Sequence, residues 1–106
     1  MYLLLSSSYY FADAPLVEIN KTADIVEEGD SITLYCNATG KPNPTLTWAK
    51  VGSLEALSYN AVLNTGILNR NDTINNIIQY QCTASNGVES PAKAVANISV
   101  LCKFCV

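Results

Sequence analysis

The chain has 106 residues, with six Lys+Arg against nine Asp+Glu, a net charge of −3 and no histidine. That is enough chain for one modest domain. It contains no basic run for nucleic acid, no apolar run near the roughly 20 residues of a spanning helix, and no imidazole to serve as general base or metal ligand.

Met1–Leu5 is apolar and Ala12-Asp13-Ala14 fits a small-x-small cleavage pattern. Ser6, Ser7 and Ser8 interrupt the apolar run, however, and no basic residue precedes it. Residues 1–14 are read as a linker or weak signal-like segment in a piece cut from a longer protein. Beyond them, short Val- and Ile-rich runs alternate with Gly, Pro, Asn and Asp clusters, and no 3.6-residue period is sustained. This pattern predicts an all-β chain.

Leu16–Asn20 is a first strand and Ala23–Val26 its continuation. Glu27-Glu28-Gly29-Asp30 is a turn, with Gly29 free to take positive φ. Ser31–Ala38 alternates, placing Ile32, Leu34 and Cys36 inward and Thr33, Tyr35 and Asn37 outward. Gly40-Lys41-Pro42-Asn43-Pro44 is excluded from a central strand, because two prolines remove ladder donors. Thr45–Lys50 follows with Leu46 and Trp48 inward, then poorly patterned edge strands within Ser53–Asn60 and a strand with its exit over Ala61–Leu68. Gln79–Ser85 turns Tyr80, Cys82 and Ala84 inward. Asn86-Gly87 is a hairpin signal. Ala92–Leu101 is the last strand, with Ala96, Ile98 and Val100 inward.

Two cysteines bracket the single tryptophan, and Tyr80 stands two residues before the second cysteine. Around them, Glu28–Cys36, the Gly-x-Pro-x-Pro approach from Ala38 to Trp48, Leu63–Asp72, and Tyr80–Asn86 together resemble an immunoglobulin-like domain of the I-set or C2 type. The resemblance runs from about Pro15 to Leu101 and places the domain at 15–101, with a C-terminal linker fragment at 102–106. It implies a Greek-key β-sandwich of two antiparallel sheets with seven or eight strands. It also implies an inter-sheet disulfide between Cys36 and Cys82, and a core built on Trp48, Tyr80 and Leu34. One departure stands out. The family's Asp lies four residues before the Tyr, whereas Asp72 lies eight before Tyr80, so Thr73–Gln79 carries a four-residue insertion that puts a corner at Tyr80 in question.

Cys36 and Cys82 read as structural rather than as a redox or metal pair. Cys102-Lys103-Phe104-Cys105 has C-x-x-C spacing but neither a βαβ context nor a histidine partner. Pairing with each other, pairing with a partner, and remaining reduced all stay open for Cys102 and Cys105. Asn20, Asn37, Asn71 and Asn97 each begin an Asn-x-Ser/Thr sequon, of which at least two are expected to carry glycans in an extracellular setting. No catalytic or metal residues are assigned and no cofactor is expected: Glu27-Glu28 belongs to a turn, and no Ser or Cys has a candidate base.

The resemblance implies an extracellular module of a cell-surface or secreted protein, recognising a protein partner in adhesion or as part of a receptor, homophilically or heterophilically. Neighbouring immunoglobulin-like domains are expected, and no nucleic-acid or direct membrane contact. A passive spacer and an intracellular muscle-type domain are the alternatives.

Overall fold

The computed structural model describes residues 12–103. Eight strands form two sheets. Strands β1 (Asp13–Ile19), β3 (Thr33–Lys41) and β6 (Val62–Asn64) make a three-stranded sheet in the order β1-β3-β6. Strands β2 (Ala23–Glu27), β8 (Ala92–Leu101), β7 (Ile77–Ser85), β4 (Thr45–Lys50) and β5 (Ala56–Ser58) make a five-stranded sheet in that order. The expected β-sandwich is therefore present.

The first strand and its continuation belong to different sheets. β1 pairs antiparallel with β3, whereas β2 crosses over and pairs parallel with β8, Ala23 opposite Asn97 and Glu27 opposite Leu101. Between them, the Lys21 ammonium donates to the Asp24 carboxylate at 2.8 Å. That bond, helped by the Ile25 N–H, lowers the pKa of Asp24.

Period-two alternation puts one set of side chains between the sheets. Leu34, Trp48, Cys82, Ile98 and Val100 are fully buried, with Ile32, Cys36, Leu63, Leu68, Ile78, Tyr80 and Ala96 around them. Leu46, Val17, Ile19 and Val26 pack on the margin. Every residue expected inward on β3, β7 and β8 is buried.

Three of the boundaries that differ from expectation have a clear local reason. β1 begins at Asp13, because Asp13 pairs with Lys41 beyond a register shift. β3 runs on through Gly40 and Lys41, and stops only where Pro42 lacks an N–H. Gly40 has φ +155°, and a Cβ there would stand 3.0 Å from the Asn86 amide nitrogen and 3.2 Å from Pro15 Cα. β6 is short: the Asn64 side chain accepts from Gly66 N at 2.9 Å and Thr65 Oγ1 accepts from Ile32 N at 3.1 Å, which turns the backbone off the ladder. The Asn86-Gly87 signal opens a connection that runs from Ser85 to Ala92, both ends where the strand pattern places them. Asn86 Nδ2 donates to Asp13 O at 2.7 Å and to Pro42 O at 3.0 Å, and Pro91 has no N–H to extend the pairing. One side chain thus ties together the start of β1, the turn after β3 and the exit of β7.

Candidate recognition surface

Cys36 and Cys82 form the inter-sheet disulfide, with a Cα–Cα distance of 6.5 Å. Trp48 lies directly opposite Cys82 on β4, and its indole N–H donates to Ala61 O at 3.1 Å. Leu34 and Tyr80 complete this frame from β3 and β7. Cys102 is also disulfide-bonded, so a reduced Cys102 is set aside; Cys105 lies outside the described residues, as do residues 1–11.

The insertion before Tyr80 is an ordered hairpin. Arg70–Asp72 forms a 3-10 turn, closed by Thr73 Oγ1 donating to Arg70 O at 2.6 Å. Ile74 and Ile77 then exchange both backbone hydrogen bonds around Asn75 and Asn76, whose φ values are 54° and 67°. Positive φ at both central residues is the type I′ turn, whose twist suits a two-residue hairpin and which asparagine tolerates. Asn76 fixes the hairpin twice, through its carbonyl accepting from Val100 N at 2.8 Å and its side chain accepting from the Arg70 guanidinium.

Tyr80 is buried, but no hydrogen bond to its hydroxyl forms among the described residues. Among the described residues no buried side-chain oxygen or nitrogen lacks a partner, so the hydroxyl reaches the surface near Asp72. Desolvation, and then the Asp72 charge, push its pKa up. Tyr80→Phe is therefore expected to change stability at pH 7 by less than about 0.5 kcal/mol. In the wild type, stability is fully present below the unfolded tyrosine pKa of about 10 and is lost as pH rises through the higher folded value; the phenylalanine variant should lack that part of the alkaline loss. Thermal unfolding across pH 7–11 measures both, and a loss above about 1.5 kcal/mol at neutral pH would show that the hydroxyl carries a corner hydrogen bond after all.

The outer face of the five-stranded sheet is mostly uncharged, as in the row Ala49–Gln81–Val95, although the row Thr47–Thr83 ends on Lys93. Gln79 Nε2 donates to Asn97 Oδ1 at 2.6 Å across this face. At one end of the face three apolar side chains gather among polar ones. Ile74, Ile77 and Val51 are exposed, Ile74 at 80%, and with Lys50, Asp72 and Asn97 they line an open cleft of about 340 Å³. In the sequence Thr73–Gln79 is visible as an insertion, and the signal for its hairpin is Asn75-Asn76 flanked by Ile74 and Ile77. All four sequon asparagines are exposed: Asn20 and Asn37 on the three-stranded sheet side, Asn71 in the 3-10 turn and Asn97 on β8. Among the described residues, no group of three or more His, Cys, Asp or Glu is placed to hold a metal, and no helix is long and apolar enough to cross a membrane.

A family model described as immunoglobulin domain matches residues 15–86. The chain belongs to the immunoglobulin domain family. It is 40% identical over 73 residues to Brother of CDO from Homo sapiens, covering 67% of this chain. It is 35% identical over 82 residues to Peroxidasin homolog pxn-2 from Caenorhabditis elegans, covering 74% of this chain. The chain spans 6% of the length of either relative. In a solved structure of the N-terminal eight Ig domains of Down Syndrome Cell Adhesion Molecule, the matching region has a TM-score of 0.71 at 24% identity, covering 88% of this chain and 13% of that one. Immunoglobulin domains of this kind are non-enzymatic recognition modules.

Proposed function

We propose that this immunoglobulin domain, of the I-set type, is an extracellular module that recognises a protein partner in cell adhesion or within a receptor ectodomain. The observation that carries the reading is the cleft at the end of the five-stranded sheet, where a hydrogen-bonded hairpin holds Ile74 and Ile77 out beside Val51. Displaying large apolar side chains on a fixed turn favours burial against another surface. The Cys36–Cys82 disulfide supports an oxidising, extracellular compartment. So does the similarity to a matrix-remodeling-associated protein from Homo sapiens. The Pro-rich approach to Trp48 and the division of the first strand between two sheets support the I-set type.

The test is a binding assay on the secreted chain, with bead aggregation for homophilic contact and cell-surface binding for a heterophilic one. Ile74→Asp combined with Ile77→Asp should weaken binding at least tenfold while Tm moves by only a few degrees, since Ile74 is largely and Ile77 partly exposed. Unchanged binding by the double variant would move the interface elsewhere. A strict monomer with no partner would favour the spacer role.

A further inference from the structure

We infer that Asn37 carries an N-linked glycan whose first N-acetylglucosamine packs against the exposed ring of Tyr35 on the outer face of the three-stranded sheet. The inference rests on the extracellular reading above.

Tyr35 and Asn37 are two residues apart on β3, so both side chains leave the same face about 6.6 Å apart. Their neighbours Leu34 and Cys36 are buried, which fixes that face as the outer one. Tyr35 is 53% exposed, and opposite it on β6 stands Val62, also exposed. An uncovered tyrosine beside a valine is an apolar shelf in the middle of a solvent-facing sheet. On the other side, Asn37 lies opposite Glu18 of β1. The Tyr35 backbone N–H donates to the Asn20 side-chain oxygen at 2.8 Å, which holds Asn20 across the end of β1. Glu18, Asn20, Tyr35 and Asn37 thereby wall a shallow groove of about 220 Å³.

This groove suits a sugar ring. One face of β-linked N-acetylglucosamine shows only axial C–H groups and matches an aromatic face, while its rim carries hydroxyls that donate to a carboxylate such as Glu18. Asn37-Ala38-Thr39 supplies the acceptor motif. In the transfer, Asn37 Nδ2 forms a bond to sugar C1 of a lipid-linked oligosaccharide pyrophosphate. The C1–O bond to the pyrophosphate breaks, the pyrophosphate leaves with the electron pair, and the amide loses one proton. The amide oxygen is untouched. Of the four sequon asparagines, Asn37 is the one with an aromatic side chain two residues earlier on the same strand face.

The test is a double-mutant cycle on the full chain, directed through a mammalian secretory host, with glycopeptide mass spectrometry for occupancy. The set is wild type, Asn37→Gln, Tyr35→Ser and the pair; Tyr35→Ser leaves the sequon intact. Asn37 should be occupied, and Asn37→Gln should lower Tm by roughly 5 °C beside Tyr35 and by no measurable amount beside the serine. The same four chains made in a bacterial periplasm without glycosylation should show no coupling. An unoccupied Asn37, or equal Tm losses in both backgrounds, overturns the inference. Because the host supplies the secretory route, those failures concern this groove. Failure of the extracellular reading would instead appear as native protein retained inside cells, with occupancy and coupling in the host intact.

Discussion

Replacing Cys36 and Cys82 together with alanine is expected to lower stability by about 4 kcal/mol, read from urea unfolding followed by Trp48 fluorescence. The two cysteines are 46 residues apart in sequence, and a cross-link closing a loop of that length removes about this much conformational freedom from the unfolded chain in the loop-entropy treatment. Domains of this size are typically stable by only about 5–15 kcal/mol, so the variant should sit near the threshold of folding at body temperature. Both sulfurs come from buried positions, so the alanines also leave a small void that adds to the loss. Reduced wild-type protein should unfold at a urea concentration close to that of the variant. Midpoints unchanged by either treatment would show that sheet packing alone holds the sandwich closed.

Trp48→Ala is expected to cost about 3–5 kcal/mol, and Trp48→Phe clearly less, by the same unfolding measurement followed by circular dichroism. Two effects contribute, and their sizes decide which governs. The indole N–H donates to Ala61 O, but that carbonyl also accepts from Cys36 N at 2.8 Å, so it keeps a partner when the indole is removed. The hydrogen-bond part is thus about 1 kcal/mol. The larger part is the cavity left by a fully buried indole between two sheets, which phenylalanine mostly refills. Because Trp48 lies opposite Cys82, its loss and that of the disulfide should not add. Equal losses for alanine and phenylalanine would mean that the hydrogen bond, and not the packing, dominates.

Sequence patterning located the frame well where alternation was unbroken. Thr45–Lys50 and Ala92–Leu101 have the bounds expected of them, because each sets apolar residues against the core at every second position. It was less informative where side chains compete with the backbone ladder. The early end of β6 depends on Asn64 and Thr65 bonding to N–H groups, one of them 33 residues distant, and no local propensity encodes that partner. The longer β3 depends on Gly40 fitting against Pro15 and Asn86, again a contact between distant segments. At the candidate surface, the insertion was visible as extra length between Asp72 and Tyr80. Its shape, with Ile74 and Ile77 held outward, follows from two consecutive residues at positive φ and from Arg70 and Val100 holding Asn76. Exposed apolar residues on such a turn read in a sequence like core residues, since hydropathy alone does not tell which way a side chain points.

The parallel pairing of β2 with β8 has a mechanical consequence. The chain enters β2 at Ala23 and leaves β8 at Leu101, at opposite ends of the shared ladder. Tension drawing the two ends of the domain apart slides these strands along each other, so the hydrogen bonds from Ala23–Asn97 to Glu27–Leu101 share the force at once. A hairpin pulled from its open end would instead lose its bonds one by one. When pulled, the domain resists as a shear joint, with the Lys21–Asp24 bend at the threshold of that joint.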